Sequence, residues 1–214
     1  PLAEVKKPTE GLSLFYTDLD RSKIDVRLIH KMGRHAVDSN MLFITDLFVP
    51  DADLIGEEGQ GFKIILQGLN PERILLAAEA VGLGRAAIRK ASQYAKERIV
   101  FDRPIGQNQG VQFPIAEAYI ETAAASLMRF RACELYDALK PCGAEANMAK
   151  LLAAKASWEA GNACLQTHGG FGFAAEYDVE RKFRETRLYQ VAPISTNLIL
   201  SYIAEHQLGL PRSF

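Results

Sequence analysis

The pattern of apolar and polar positions changes once along the chain. Up to about residue 50, apolar residues come in short runs or alternate with polar ones. The segments are GLSLFYTDLD (11–20), IDVRLIH (24–30) and MLFITDLFVP (41–50), with turn-forming residues between them. Runs of that length and period predict strands. Pro50 and the Asp51-Ala52-Asp53 that follows close the last one. Three strands make a poor independent sheet, so residues 1–54 read as part of a larger β-domain.

From Gly59 onward the spacing becomes helical. A short amphipathic helix is expected over 59–69, GQGFKIILQGL, and a long one from about Pro71 to Arg98. Proline suits a first helical turn, and Ile74, Leu75, Ala78, Val81, Leu83, Ala86 and Ile88 recur at helical separation. IVFDRPIGQNQG (99–110) reads as a connector. A second long helix covers about Val111 to Leu139, up to the Pro141-Cys142-Gly143 break. A third runs from about Ala144 to His168 and stops at Gly169-Gly170, a suitable C-terminal signal. Shorter helices follow at about 178–188 and 194–206. The predicted fold class is mainly α: an antiparallel up-and-down four-helix-type bundle over residues 55–214, preceded by the partial β-domain.

Composition narrows the function. With 25 basic and 26 acidic residues the net charge is −1, and no basic stripe is present. That argues against nucleic-acid binding through a bulk field. Cys133, Cys142 and Cys164 are odd in number and lack metal-ligand spacing, so neither a disulfide framework nor a metal site is expected. No run approaches the roughly 18 apolar residues of a membrane span. No signal peptide opens the chain, which begins at Pro1 in polar text; this reads as a fragment or a processed product. The expected location is the cytoplasm of a bacterium, or the mitochondrial matrix of a eukaryote.

A few residues invite chemistry. Arg98 and Gln109 flank the Pro/Gly connector, so both can face a ligand. A planar guanidinium donates to two pyrophosphate oxygens at once, although Arg98 could equally cap a helix C-terminal dipole. The Gly169-Gly170 pair lets backbone N–H groups approach a phosphate, or merely ends a helix. Glu72 in a first helical turn is favoured by the dipole alone. In an apolar pocket, a carboxylate can instead abstract a proton.

Three segments in order resemble the acyl-CoA dehydrogenase family, over about Gly33 to Ile203. They are VPDADLIGEEGQGFK (49–63), ERIVFDRPIGQNQGVQFPIAE (97–117) and QTHGGFGFAAEYDVERKFRETRLY (166–189). The second is similar to the family's R-x-x-F-x-x-x-I-x-x-x-Q signature and the third to its Q-x-x-G-G-x-G motif. The resemblance implies an FAD site shared between two chains of a homo-oligomer, a dimer or tetramer. Arg98 would hold the pyrophosphate, Phe101 would pack near the flavin and Gln109 would bond the adenylate part. Gln166, Thr167, His168, Gly169 and Gly170 would contact FAD across the interface, with His168 a variable position and no catalyst. Ser195, Thr196 and Asn197 match a further stretch on FAD, and Asn70 and Arg73 match positions that touch substrate.

The family's usual glutamate, in a Y-E-G-T-like motif, falls here on Pro193. Proline also lacks the backbone N–H that would help polarise a thioester carbonyl. Branches such as the isovaleryl-CoA dehydrogenases place the base just before an arginine on the first long helix. Glu72, followed by Arg73, is the candidate of that kind, with Glu79 the weaker rival. The implied reaction is α,β-dehydrogenation of an acyl-CoA thioester, with electrons passed to an electron-transfer flavoprotein. A CoA-linked reductase, an oxidase of the same superfamily and a silent oligomeric binding protein are the rivals. The chain by itself is expected to show little or no turnover.

Overall fold

The computed structural model describes residues 4–213. Contacts divide the chain into two compact units, Pro1–Leu69 and Asn70–Phe214.

The first unit carries two small antiparallel pairs. β1 (Leu14–Phe15) pairs with β4 (Leu54–Ile55), and β2 (Ile24–Leu28) pairs with β3 (Asn40–Ile44) in a register joining Ile24 to Ile44 and Leu28 to Asn40. The strands are shorter than the apolar runs at 11–20 and 41–50 suggested. Among the described residues of this unit only Ile24 is a buried hydrophobic residue, while Met41, Leu42, Phe43 and Ile44 are all exposed along β3. Alternation sets a strand's pleat, but these strands have no core to fill.

The helical part departs from expectation at its start. A single helix, α1, runs unbroken from Gly61 to Glu97 with Pro71 inside it; the short and long helices expected on either side of that proline are one. Proline removes one i→i−4 bond and crowds the preceding turn, at about 3 kcal/mol. Burial of Ile74, Ala77, Ala80 and Val81 on the next turns outweighs that local cost. α2 (Gln109–Asp137) likewise tolerates Pro114. α3 (Gly143–His168), α4 (Val179–Thr186) and α5 (Thr196–His206) lie close to the expected positions. Within the connector a two-stranded hairpin forms, β5 (Ile99–Val100) with β6 (Arg103–Pro104).

Side-chain contacts give the helix directions. Arg85 donates to the Ser126 hydroxyl at 3.1 Å, while Ala91 and Ala118 share a cluster, so α2 runs against α1. Arg73 lies beside Lys150 and Tyr94 stacks on His168 with ring centroids 4.1 Å apart, so α3 runs parallel to α1. Phe183 and Trp158 pack at 4.7 Å, with Tyr177 near His168; α4 therefore descends along α3. α5 continues that direction, from Ile194 at Lys150 to Tyr202 at Gly143. The result is the up-and-down bundle, its fourth position shared by α4 and α5.

The core is made largely of alanine. Ala87, Ala91, Ala118, Ala125, Ala132, Ala146, Ala149, Ala153 and Ala160 are all buried. Small side chains let helix axes approach closely, and Gly84 and Gly161 carry this further. A Cβ at Gly161 would meet the Thr186 hydroxyl at 3.1 Å, and one at Gly84 would meet Thr122 at 3.3 Å. At the start of α4, Asp178 accepts from Arg181 at 2.5 Å and also pairs with Lys182. Burial pushes its carboxyl pKa up, but these hydrogen bonds prevail and hold it at about 2.

Candidate functional site

Two groups of residues stand out in the helical unit. The first is a cleft of about 450 Å³ lined by Tyr94, Arg98, Val100, Ile105, Thr167, His168, Gly169, Gly170 and Phe171. The two motifs that lie about 70 residues apart in sequence thus meet in space. The parallel course of α1 and α3 does this, because both helices end at this level.

Arg98 is exposed at the end of α1, its guanidinium 5.6 Å from the centre of the Phe171 ring. Among the described residues no carboxylate pairs with it. Across the cleft, α3 stops at Gly169, whose φ of 57° and ψ of −131° suit glycine alone. Its N–H caps the helix on the Leu165 and Gln166 carbonyls. A Cβ at Gly170 would meet nothing within 4 Å, which leaves bare backbone facing open space. Beneath lies His168, buried, donating from Nδ1 to the Cys164 carbonyl at 2.8 Å and stacked on Tyr94. Burial lowers its pKa against the raising effect of that hydrogen bond. His168 is therefore part of a floor, and Thr167 turns its hydroxyl inward to the Ala163 carbonyl.

Phe101 sits outside the cleft at the tip of the β5–β6 hairpin, 93% exposed. It and Asp102 have φ values of 52° and 61°, the geometry of a two-residue turn that normally takes Asn-Gly. A bulky residue in left-handed backbone is strained, and here the strain holds an aromatic ring out in solvent. Gln109 and Gln166 are both exposed and do not line the cleft.

The second group lies near the other ends of α1 and α3. Arg73 is half-buried and donates from Nη1 to Asn70 Oδ1 at 2.9 Å, while its buried Nε has no partner. Burial lowers the guanidinium pKa. Glu72 beside it is exposed. Lys150 approaches from α3, 2% exposed, and donates to the Ile194 carbonyl at 2.6 Å. Tyr202 of α5 reaches Gly143, where an added Cβ would lie 2.9 Å from its hydroxyl and 3.9 Å from Asn70 Nδ2. Ser195 caps α5 by accepting from the Leu198 N–H at 3.4 Å, and Thr196 donates to the Gln190 carbonyl at 3.4 Å. Asn197 is exposed in the first turn of α5. These three lie apart from the cleft and are not brought to it within one chain.

The chain's relationships follow from comparison with known proteins. Residues 59–208 match the family described as acyl-CoA dehydrogenase, C-terminal domain. The chain belongs to the acyl-CoA dehydrogenase family. It is 43% identical over 209 residues to the acyl-CoA dehydrogenase FadE12 of Mycobacterium tuberculosis, covering 97% of this chain and 51% of that protein. The acryloyl-CoA reductase (NADH) of Anaerotignum propionicum is 36% identical, with 89% of this chain and 48% of that protein covered. The crystal structure of an acyl-CoA dehydrogenase from Geobacillus kaustophilus superposes with a TM-score of 0.92 at 31% identity, over 97% of this chain and 55% of that one. The chain spans about half the length of the relatives it matches.

The sequence gives no sign of Tyr94, Lys150 or Tyr202 at these sites, and Phe171 reads there only as interface or core packing. A tyrosine and a lysine at buried helical positions have no motif around them, and only the pairing of α1 with α3 and α5 reveals their neighbours. Among the described residues no cluster of three metal-ligating side chains occurs, and no helix is long and apolar enough to cross a membrane.

Proposed function

We propose that this chain is part of a flavin-dependent acyl-CoA dehydrogenase, in which its Arg98 cleft receives the phosphate part of FAD and Glu72 serves as the base. The observation that carries the reading is the convergence of Arg98 with the Gly169-Gly170 backbone on one open cleft. An unpaired guanidinium facing the open backbone of a glycine turn suits a pyrophosphate. Phe101, held out on its hairpin, and exposed Gln109 and Gln166 are placed to meet a ligand lying between two copies of the chain, so a homo-oligomer is part of the proposal.

Bound FAD supplies the electron-accepting chemistry. The residues of this chain bind and orient. Glu72 takes the α-proton of the thioester, and its open position next to half-buried Arg73 leaves room for an acyl chain from solvent. Asn70 fixes the Arg73 guanidinium, which contacts the substrate. Such a general base contributes on the order of a hundred- to ten-thousandfold. Electrons leave to an electron-transfer flavoprotein.

The likeness to acryloyl-CoA reductase favours one second reading, the same chemistry run toward reduction. The test begins with a visible spectrum after incubation with FAD and desalting, in the full natural length of the protein. Retained flavin that bleaches with an acyl-CoA supports the dehydrogenase; flavin that is bleached only by a reductant and reoxidised by an enoyl-CoA supports the reductase. A colourless protein, or a Glu72→Gln variant with full turnover, sinks the respective part of the proposal.

A further inference from the structure

Lys150 is the largest fully buried side chain among the described residues and stands in the alanine-rich face of α3, between Ala146, Ala149, Ala153 and Ala154. A buried ammonium needs a compensating partner. Among the described residues no carboxylate supplies one, and its single bond goes to the Ile194 carbonyl at 2.6 Å. A second cation, Arg73, is near enough to act on it; burial and then that neighbour lower the amine's pKa to about 8. Packing alone would place an apolar side chain here. A buried ammonium tied to one loop carbonyl, with a second cation close by, indicates a task.

Geometry suggests what the task is. Ile194 lies between Pro193 and the Ser195 cap of α5, so the carbonyl that Lys150 holds is the hinge from which α5 starts. Arg73, with Nη1 on Asn70 and Nε buried without a partner, stands in the same corner.

We propose that Lys150 is a positioning residue for the chemistry at Glu72: by holding the Ile194 carbonyl it fixes the 193–197 turn and keeps the Arg73 guanidinium available to substrate. The proposal rests on the dehydrogenase reading above. It predicts a defect in turnover more than in affinity, because the loop and Arg73 lose their alignment while the flavin cleft, near the opposite end of α3, is untouched.

The test compares Lys150→Met and Lys150→Arg with the wild type in the flavin-loaded, full-length protein. Lys150→Met is expected to lower kcat per bound flavin ten- to hundredfold, to change KM for an acyl-CoA less than threefold and to retain flavin. Deuterium exchange should quicken at residues 194–198 and not elsewhere in the bundle. Lys150→Arg, which keeps a cationic donor, should recover part of kcat. Turnover per flavin within twofold of wild type overturns the proposal. So does a loss that tracks flavin content and global exchange, as a merely structural brace would give, or one that arginine does not ease. If the wild type bleaches with no acyl-CoA, the dehydrogenase reading has failed; exchange at 194–198 then decides, local loosening upholding the tie and unchanged exchange overturning it.

Discussion

The two corners of the helical unit are built on opposite plans. At the cleft, Arg98, Gly169 and Gly170 are exposed, the backbone is strained at Phe101, and the charged group is unpaired because it faces open space. At the other corner, Lys150 is buried, Arg73 half-buried, and the Lys150 ammonium and Arg73 Nη1 are tied to a carbonyl and a side-chain amide. The two arginines stand on one helix, roughly 37 Å apart by its rise. An open corner suits a ligand of fixed shape that another chain helps to enclose. A closed one suits control over a few reacting atoms, where small displacements matter.

The comparison can be broken at either end. The largest effect is expected from Glu72→Gln, about a thousandfold in kcat with flavin still bound; a smaller loss than tenfold moves the base elsewhere, with Glu79 next in line. Arg98→Ala should leave turnover per bound flavin nearly intact and weaken FAD retention by roughly ten- to a hundredfold, the range for hydrogen bonds to a charged group. Equilibrium dialysis with FAD separates the two. Gly169→Ala forces a side chain into backbone that suits glycine, at about 1–3 kcal/mol; calorimetry should show a melting temperature lower by several degrees, together with poorer FAD retention.

The smallest effect concerns pH. Lys150's pKa is lowered in the folded chain to about 8 from 10.5, so the charged form is disfavoured by folding. Its cost is present in full below pH 8 and is relieved as pH rises from about 8 to 10.5, where the unfolded lysine still carries its proton. Denaturant titrations should therefore show the wild type gaining stability across that window relative to Lys150→Met, on the order of 3 kcal/mol at most. A parallel pH dependence in both proteins would mean that the ammonium is better solvated than its burial indicates.

How much could be seen beforehand depended on whether the signal was local. Helical spacing and the Gly169-Gly170 stop placed α3 within a residue, since period and capping act over a few positions. Pro71 misled, because its local cost was judged without the packing of Ile74 and Ala77 that offsets it. The β-region misled differently: apolar runs at 11–20 and 41–50 looked like longer strands, yet Phe43 and Ile44 lie on a strand with nothing buried beneath it. Arg98 and the glycines were legible through their motif. Lys150 was not, because what gives it meaning is a carbonyl 44 residues away.

The alanine seam between the helices has a consequence for how such a molecule can change over time. Side chains of one carbon set the spacing of the bundle, and that spacing fixes where both corners stand. A larger residue at Ala153 or Ala125 would act as a wedge, moving both ends together. The ends themselves are carried on turns and first or last helical residues, which can be exchanged without disturbing the frame. On the proposed reading, new substrates can thus be accommodated at one tip while the cleft proposed for FAD keeps its register at the other.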